Sequence, residues 1–412
     1  MSKHVVQKKL LILGAGLEQG IAIKEAKDMG IKVVAVDNNK CADGLSIADV
    51  AVVKDINNVE EMIQLGRKYK VDGVMAHGVE IPIVVSKVAQ ALGLPHLDLK
   101  SVKRATDKSK RIEVFKKAGL PVPRFGRAKT AREALAVAKR IGFPVVIKPI
   151  NNAGARGVQK IDNSSDVETG FTEAVQYSKA KDKIVLIEQF LQGYEISTES
   201  FIHKGKIYTT GFADRNYSRS KEFAPYFVED GHSIPSLLSP QMQKKIIKSV
   251  ELAIRSLGID WGVAKGDILV EDGVIYVLEM AARTSGGWFA AGTVPLATGV
   301  SLLRALIKVS IGEIVNPEDF TPKHSKAACQ RYLIPSKSGV CRGVYGVAEA
   351  RKMPGVKMFQ MYNLPKKGDI IRKSKNYAER FGHIIAVGKD ADEATRLCEQ
   401  AMRCIHVKII SQ

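Results

Sequence analysis

Cysteine is scarce in this chain, and its five residues, Cys41, Cys329, Cys341, Cys398 and Cys404, are scattered without CxxC spacing. That argues against a disulfide framework and a thiolate zinc site, and makes a reducing compartment the expectation. Long apolar runs are also missing: none approaches the roughly 18 residues a membrane helix needs, so no membrane partner is expected. The opening Lys8-Lys9-Leu10-Leu11-Ile12-Leu13 imitates a signal peptide but runs straight into Gly14-Ala15-Gly16 and Glu18, which reads better as a buried first strand. Aromatics make up only 6% of the chain. What is plentiful is apolar aliphatic material, 45% hydrophobic over 412 residues, enough for two or three domains with real cores and too much for intrinsic disorder. The expectation is a cytoplasmic, soluble, multidomain protein.

Acids are in deficit, 43 against 63 basic side chains, for a formal charge of +20. The excess is local: residues 100–160 hold 17 Lys/Arg against 3 acids, and residues 321–412 hold 18 against 7. A nucleic-acid binder would interleave aromatics with its basic stripes. Residues 100–160 contain only Phe115, Phe125 and Phe143. A polyphosphate site or a solvated basic face needs no aromatics, so a nucleic-acid partner is disfavoured.

Residues 5–100 alternate apolar strands (Lys9-Leu13, Lys32-Asp37, Val50-Lys54, Gly73-Ala76) with amphipathic helices (Gln19 to Met29, Val59 to Lys68, Ile81 to Leu92), the pattern of a parallel, doubly wound sheet. Near Thr106 the character changes: a helix from Lys108 to Ala118 stops at Gly119, and Pro121 and Pro123 break the chain. A helix (Ala131–Ile141), a strand (Val145–Lys148), a glycine-bearing loop and hairpin-like strands follow. A third unit starting near Thr321-Pro322, with a helix Glu393–Cys404 and a strand His406–Ile410, suggests a small α+β cap.

Several motifs carry chemistry. Gly14-Ala15-Gly16-Leu17-Glu18-Gln19-Gly20 lies between a strand and a helix, but its GxGxxxG spacing displaces the third glycine of a dinucleotide fingerprint, so tight packing explains it better than NAD. Glu80, after His77-Gly78, stands where strand ends line ligand crevices. It can hold a substrate amine or compensate a helix dipole. Lys148 ends an apolar strand, where an ammonium is unusual without an anion to meet. The turn after it, with Gly154, Ala155, Arg156 and Gly157, offers free N–H groups and a guanidinium to a phosphate chain. Glu188-Gln189-Phe190-Leu191 follows an apolar strand and can grip a base edge, with Glu195 for ribose hydroxyls. The most informative stretch is Gly266 to Glu279: Asp272-Gly273 turns a hairpin that sets Asp267 close to Glu279 across the strand pair. Two hard oxygen ligands beside a phosphate cradle suit Mg²⁺. Arg283 can then reach a transferring phosphoryl group, and Gly286 and Gly287 permit close approach.

In this order the features resemble the ATP-grasp superfamily over residues 1–320. The resemblance implies a Rossmann-like leading domain (1–105), an ATP-grasp α+β domain (106–322, lid about 120–185) and a small α+β C-terminal domain (323–412). It also implies Lys108, Lys148 and the 154–157 loop on the phosphates, backbone of Gln189 and Leu191 on adenine, Glu195 on ribose, and Asp267 and Glu279 on Mg²⁺, with Mn²⁺ as a substitute. The usual ending Glu-x-Asn is broken here, because Ala281 stands in the asparagine's place and a second metal loses a ligand. Within the superfamily the chain looks most like the L-amino-acid ligases. Phe227 to Pro235 resembles their substrate loop, with Glu229 and His232 on the bound amino acid or acyl phosphate, and Arg283 with Gly286 resembles their arginine–glycine pair. The function implied is ATP-dependent carboxylate–amine ligation through an acyl phosphate, with Arg283, His232 and Lys148 catalytic, small-molecule acid and amine substrates, and a homodimer as the base-rate assembly. The alternatives are formate or bicarbonate activation of the purine or carbamoyl-phosphate type, and a non-catalytic nucleotide- or nucleic-acid-binding protein.

Overall fold

The computed structural model describes residues 7–178 and 183–410. The outermost ends of the expected first and last domains, and residues 179–182 of the expected lid, lie outside that range.

The first strands, Lys9–Leu13 and Lys32–Asp37, are buried on both faces, which is what a parallel sheet covered by helices on either side requires. With Val50–Val53 outside Lys32–Asp37 and Gly73–Met75 on the other side of Lys9–Leu13, they form a four-stranded parallel sheet. The order reverses direction between Lys9–Leu13 and Gly73–Met75. Such a switch point opens a crevice at the carboxyl ends of the strands, and the segments leaving those ends carry Glu18 and Glu80.

Residues 120–178 with 183–189 build a second layer, a four-stranded sheet (Phe125–Ala128, Val185–Gln189, Val145–Pro149, Gln159–Ile161) packed on the helices Ala131–Ile141 and Val167–Gln176. The centre of the molecule is an eight-stranded antiparallel sheet, ordered Val274–Ala281, Gly262–Glu271, Tyr194–His203, Lys206–Asn216, Gly231–Ile234, Ala327–Leu333, Gly382–Gly388 and Val356–Met361. Its last three strands come from the stretch read in sequence as a separate cap. That stretch is continuous with the central sheet, since Ala327–Leu333 pairs residue by residue with Gly231–Ile234. Only Gly339–Tyr345, Ile370–Ile371 and His406–Ile410 form a sheet of their own.

Strand alternation sorts the central sheet into two faces. Ile196, Ala264 and Ile268 point to the helix Pro240–Leu257 and pack with its Ile246, Val250 and Ile254. The residues between them, Glu195, Ser197, Glu199, Lys265 and Asp267, point the other way. Among the described residues no helix is long and apolar enough to cross a membrane.

Candidate active site

The hairpin turn works as its sequence requires. Asp272 (φ 50°) and Gly273 (φ 81°) take the left-handed conformations that a two-residue hairpin loop needs, which sets the register from Glu271↔Val274 to Ile268↔Val277. A bulge between Ile268 and Asp267 then shifts the pairing by one residue, to Asp267↔Glu279 and Lys265↔Ala281, and so brings the two acids opposite each other. The next strand adds Ser197 opposite Asp267 and Glu199 opposite Lys265. Asp267 accepts hydrogen bonds from Ser197 Oγ at 3.2 Å, meets Arg215 Nη1 at 3.0 Å and touches the Lys265 ammonium. Glu279 is met from above by the helix Lys108–Lys117. Asp107 caps that helix by accepting from Ser109 N (2.9 Å) and Lys110 N (3.1 Å). The cap sets Lys108 and Arg111, three positions apart, on one face. Arg111 Nη1 lies 3.7 Å from Glu279. Burial would raise the Glu279 carboxyl, but Arg111, Lys108, Lys265 and Arg283 together hold it well below the usual carboxylate range. Burial pushes the Lys108 ammonium down to about 8.

Lys148 and Glu188 sit diagonally on neighbouring strands and their side chains meet at 2.5 Å. Glu188 therefore orients the lysine. The 150–158 loop crosses the same opening with Gly154, Ala155 and Gly157 at positive φ. Gly157 departs from the phosphate role expected of it: a Cβ there would meet Tyr177 and Ala174, so the glycine serves packing on the helix Val167–Gln176. Arg156 lines the opening, and its Nε donates to Ala153 O at 3.0 Å. In the linker, the Gln189 N–H is spent on Arg124 O (2.8 Å), whereas the Leu191 N–H meets no acceptor among the described residues. Val146, Leu191, Leu269 and Leu278 supply apolar walls beside it.

The segment after Glu279 is pinned from every side. The Arg283 guanidinium is gripped by Glu80, so Glu80 does more than compensate a helix dipole. His77 Nδ1 lies 2.8 Å from Thr284 Oγ1. Ser285 donates its N–H (3.0 Å) and Oγ–H to Glu199, and Glu18 accepts from Gly287 N (3.0 Å) and Trp288 N (2.9 Å). Gln330 and Tyr332 donate to Gly287 O at 2.8 and 3.0 Å. Burial pushes the Glu18 and Glu199 carboxyls up to about 7 and the His77 imidazole down to about 4. A side chain at Gly287 would strike Tyr332, and one at Gly286 would crowd Gly78.

Glu229 and His232, read in sequence as part of a loop, are buried, and His232 lies within the strand Gly231–Ile234. Arg215 is the hub beneath them, 3.2 Å from Glu229 and 3.6 Å from Glu195 as well as touching Asp267. Arg380 reaches the Glu229 carboxylate at 3.5 Å. Burial opposes the charge on Glu229, yet Arg215, His232 and Arg380 hold it far below its ordinary value. Glu195, pushed up to about 7 by burial, is helped upward by Asp267 and Glu229 and opposed by Arg215. His232 Nε2 is 2.9 Å from Thr293 Oγ1, and burial lowers its ring despite Glu229.

All the residues singled out in sequence except Gly157 therefore line one cavity of 680 Å³. Sequence reasoning passed over Arg111, Arg215, Lys265, Glu199 and Glu18. For Lys265 a signal existed, since it shares the face of Asp267 two positions on. For Arg215 and Glu18 there was none, because their partners are remote in sequence. Among the described residues no cluster of three or more His, Cys, Asp or Glu could hold a metal ion. The Asp267–Glu279 pair fits a divalent cation only if phosphate and water supply the other oxygens.

Comparison with known proteins agrees with this geometry. Residues 141–292 match the family model of the ATP-grasp domain, and residues 331–409 match that of the L-amino acid ligase C-terminal domain 2. Residues 141–292 are thus similar to ATP-grasp domains. The chain is 27% identical over 357 residues to the uncharacterized protein y4rH of Sinorhizobium fredii, covering 85% of this chain and 72% of that one. It is 25% identical over 376 residues to the carbamoyl phosphate synthase large chain of Thermotoga maritima, covering 86% of this chain but only 32% of that protein's length. Its fold matches the crystal structure of an L-amino acid ligase from Bacillus licheniformis with a TM-score of 0.83 at 22% identity, over 98% of this chain and 99% of the other.

Proposed function

We propose that the chain is an ADP-forming carboxylate–amine ligase that joins amino acids or other small carboxylates to an amine through an acyl phosphate. One observation carries the reading: the Asp267–Glu279 pair opens into a single cavity with Lys108, Lys148 and Arg283, and the cavity continues past Arg283 to the buried Glu229 and His232. The first group suits a triphosphate and the continuation leaves room for an acid.

Adenine would lie in the apolar slot with the free Leu191 N–H on its edge, and Glu195 would meet the ribose. Lys148, oriented by Glu188, and Lys108 would hold the phosphate chain. Asp267 and Glu279 are the residues that would hold Mg²⁺, which would supply positive charge against the phosphate oxygens. The substrate carboxylate would attack the γ-phosphoryl group in line while Arg283, fixed by Glu80, faces the charge that develops. His232, an imidazole held neutral by burial, is placed to orient the acyl group or take the proton the amine sheds. Closure of the 150–158 loop would exclude water that otherwise destroys the acyl phosphate.

The test is a phosphate-release screen of amino acids and small acids in pairs, with mass detection of the product. A product whose mass is the sum of two substrates less one water supports the reading. Stimulation by sugar phosphates, formate or bicarbonate in place of amino acids would move the chain to the purine or carbamoyl-phosphate side. Against that alternative stands the leading unit's share of the cavity wall. Among the described residues it offers Glu18, Asn57 and Glu80 as polar side chains and no cation for a sugar phosphate. Salt-sensitive binding of DNA or RNA without any ATP turnover would instead favour a non-catalytic protein.

A further inference from the structure

The loop that covers the phosphate site is held by a residue from the far end of the chain. The Tyr377 N–H donates to Gly154 O at 3.1 Å, and its hydroxyl accepts from Arg215 Nη2 at 2.8 Å. Its ring lies 4.0 Å beneath the Arg380 guanidinium, the same group that donates to Glu229 O at 2.6 Å. Tyr377 itself sits on a firm base: it opens a short 3-10 turn whose first N–H groups are capped by the Asn376 side chain, and Ser374 N donates to Pro335 O at 2.9 Å. A second contact between the same two units, Lys375 with Glu173 at 3.3 Å, has a half-exposed lysine and contributes little. One residue thus meets the glycine loop through its backbone N–H and, through its side chain, the two arginines that organise Asp267, Glu195 and Glu229.

We propose that Tyr377 is a positioning residue that couples closure of the 150–158 loop to the acyl end of the cavity, so that the acyl phosphate meets the amine and not water. The inference rests on the ligase reading given above. If the loop opens early, water attacks the acyl carbon, the carbon–oxygen bond to phosphate breaks, and the acid and phosphate are released without amide. ATP is then consumed for nothing.

The experiment measures ADP formed per amide formed, with the amine at saturation, for the wild type, Tyr377→Ala and Tyr377→Phe. The wild type should give a ratio near one. Tyr377→Ala should raise it roughly tenfold, as expected for losing a hydrogen bond to a charged group, with ADP formation itself little changed. Both variants keep the backbone N–H to Gly154 O; Tyr377→Phe also keeps the ring that fixes this turn against Arg380, and should fall between them. A purely structural role would lower ADP and amide together and leave the ratio alone, and that result overturns the proposal. A second readout needs no turnover: trypsin cleavage after Arg156 in Mg-ADP should be slow in the wild type and faster in Tyr377→Ala. An unchanged cleavage rate also overturns it. If the wild type forms no amide from any pair, the ligase reading fails while the trypsin arm still decides the latch. Should Tyr377→Ala not fold, Tyr377→Phe carries both measurements. Tyr345→Ala, at an exposed tyrosine on the small sheet, should change neither.

Discussion

Two regions of the cavity hold buried glutamates in opposite states. Glu279 and Glu229 are held low by guanidinium and ammonium groups. Glu18 and Glu199 are pushed up to about 7, and the groups that bond them are backbone N–H groups and a serine hydroxyl. Burial acts alike on all four; the partner decides. Several cations together outweigh the desolvation of Glu279 and Glu229, whereas a few neutral donors, or for Glu195 a single arginine shared with two other acids, do not. The division is also one of place: the cation-bound acids lie among the arginines and lysines that line the cavity, and the neutral-bonded acids hold the backbone of residues 285–288 in shape.

The sharpest way to test the first half is to remove charge where it is fully matched. Glu279→Gln keeps shape but loses half of the metal pair, and Lys148→Ala removes the phosphate cation. Each should lower ADP release by at least ~10²–10³-fold, the size typical of a lost electrostatic contact at a reacting centre. The fold should survive, with a lowered thermal transition, because each change leaves buried charge without its partner. Near-normal turnover in either variant would sink the assignment of the site.

Next in size is the hub. Arg215→Met takes a guanidinium from three acids at once, Glu195, Glu229 and Asp267. Leaving buried charge unmatched typically costs about 3–5 kcal/mol, so urea unfolding should register a loss of that order at neutral pH. A loss within about 0.5 kcal/mol, the range of an ordinary surface change, would show that the acids are not coupled through this arginine.

Much of this was legible from residues alone, and the boundary is physical. Asp267 and Glu279 could be brought near each other because the turn Asp272-Gly273 joins their strands, but the bulge that sets them directly opposite, where the turn alone would place Leu278, has no local signal. Lys148 stood out because an ammonium ending an apolar strand needs a reason. Glu18 could not be read, since its partners Gly287 and Trp288 lie at the other end of the leading and central units, and an acid at a helix start looks ordinary. The last stretch looked like a separate cap because nothing in Ala327–Leu333 announces that it pairs with Gly231–Ile234; strand pairing between distant segments leaves no local trace. Arg380 and Tyr377 were hidden for the same reason.

The second half of the comparison is tested by pH. For Glu199 the folded value lies above the unfolded one, so the native state holds a proton that the unfolded chain releases. That contribution is fully present below about 4.5 and is lost as pH rises through about 7. Glu199→Gln cannot titrate. Its stability relative to wild type should therefore rise from pH 5 to pH 8, by on the order of 1–3 kcal/mol, read as the difference in unfolding midpoints. A flat difference would mean that Glu199 is already charged at pH 5 and belongs with the cation-paired acids.

Glu18→Gln should have the smallest effect and the most particular signature. The amide keeps one oxygen, so it can accept from Gly287 or Trp288 but not from both, and its NH₂ faces the remaining N–H. One neutral hydrogen bond is worth about 1 kcal/mol, and the loss falls on the loop that would carry the acyl group, not on the nucleotide. The KM for the acid substrate should rise severalfold while the KM for ATP stays unchanged. Below about pH 7 the wild-type carboxyl is itself protonated, and then it too offers one good acceptor oxygen and one hydroxyl. The gap between wild type and variant should accordingly be wide at pH 8 and narrow by pH 6. A gap that stays constant across this range would show that Glu18 remains ionised despite its burial, with the cation of Arg283 reaching it past Glu80, and the contrast between the two kinds of glutamate would have to be drawn elsewhere.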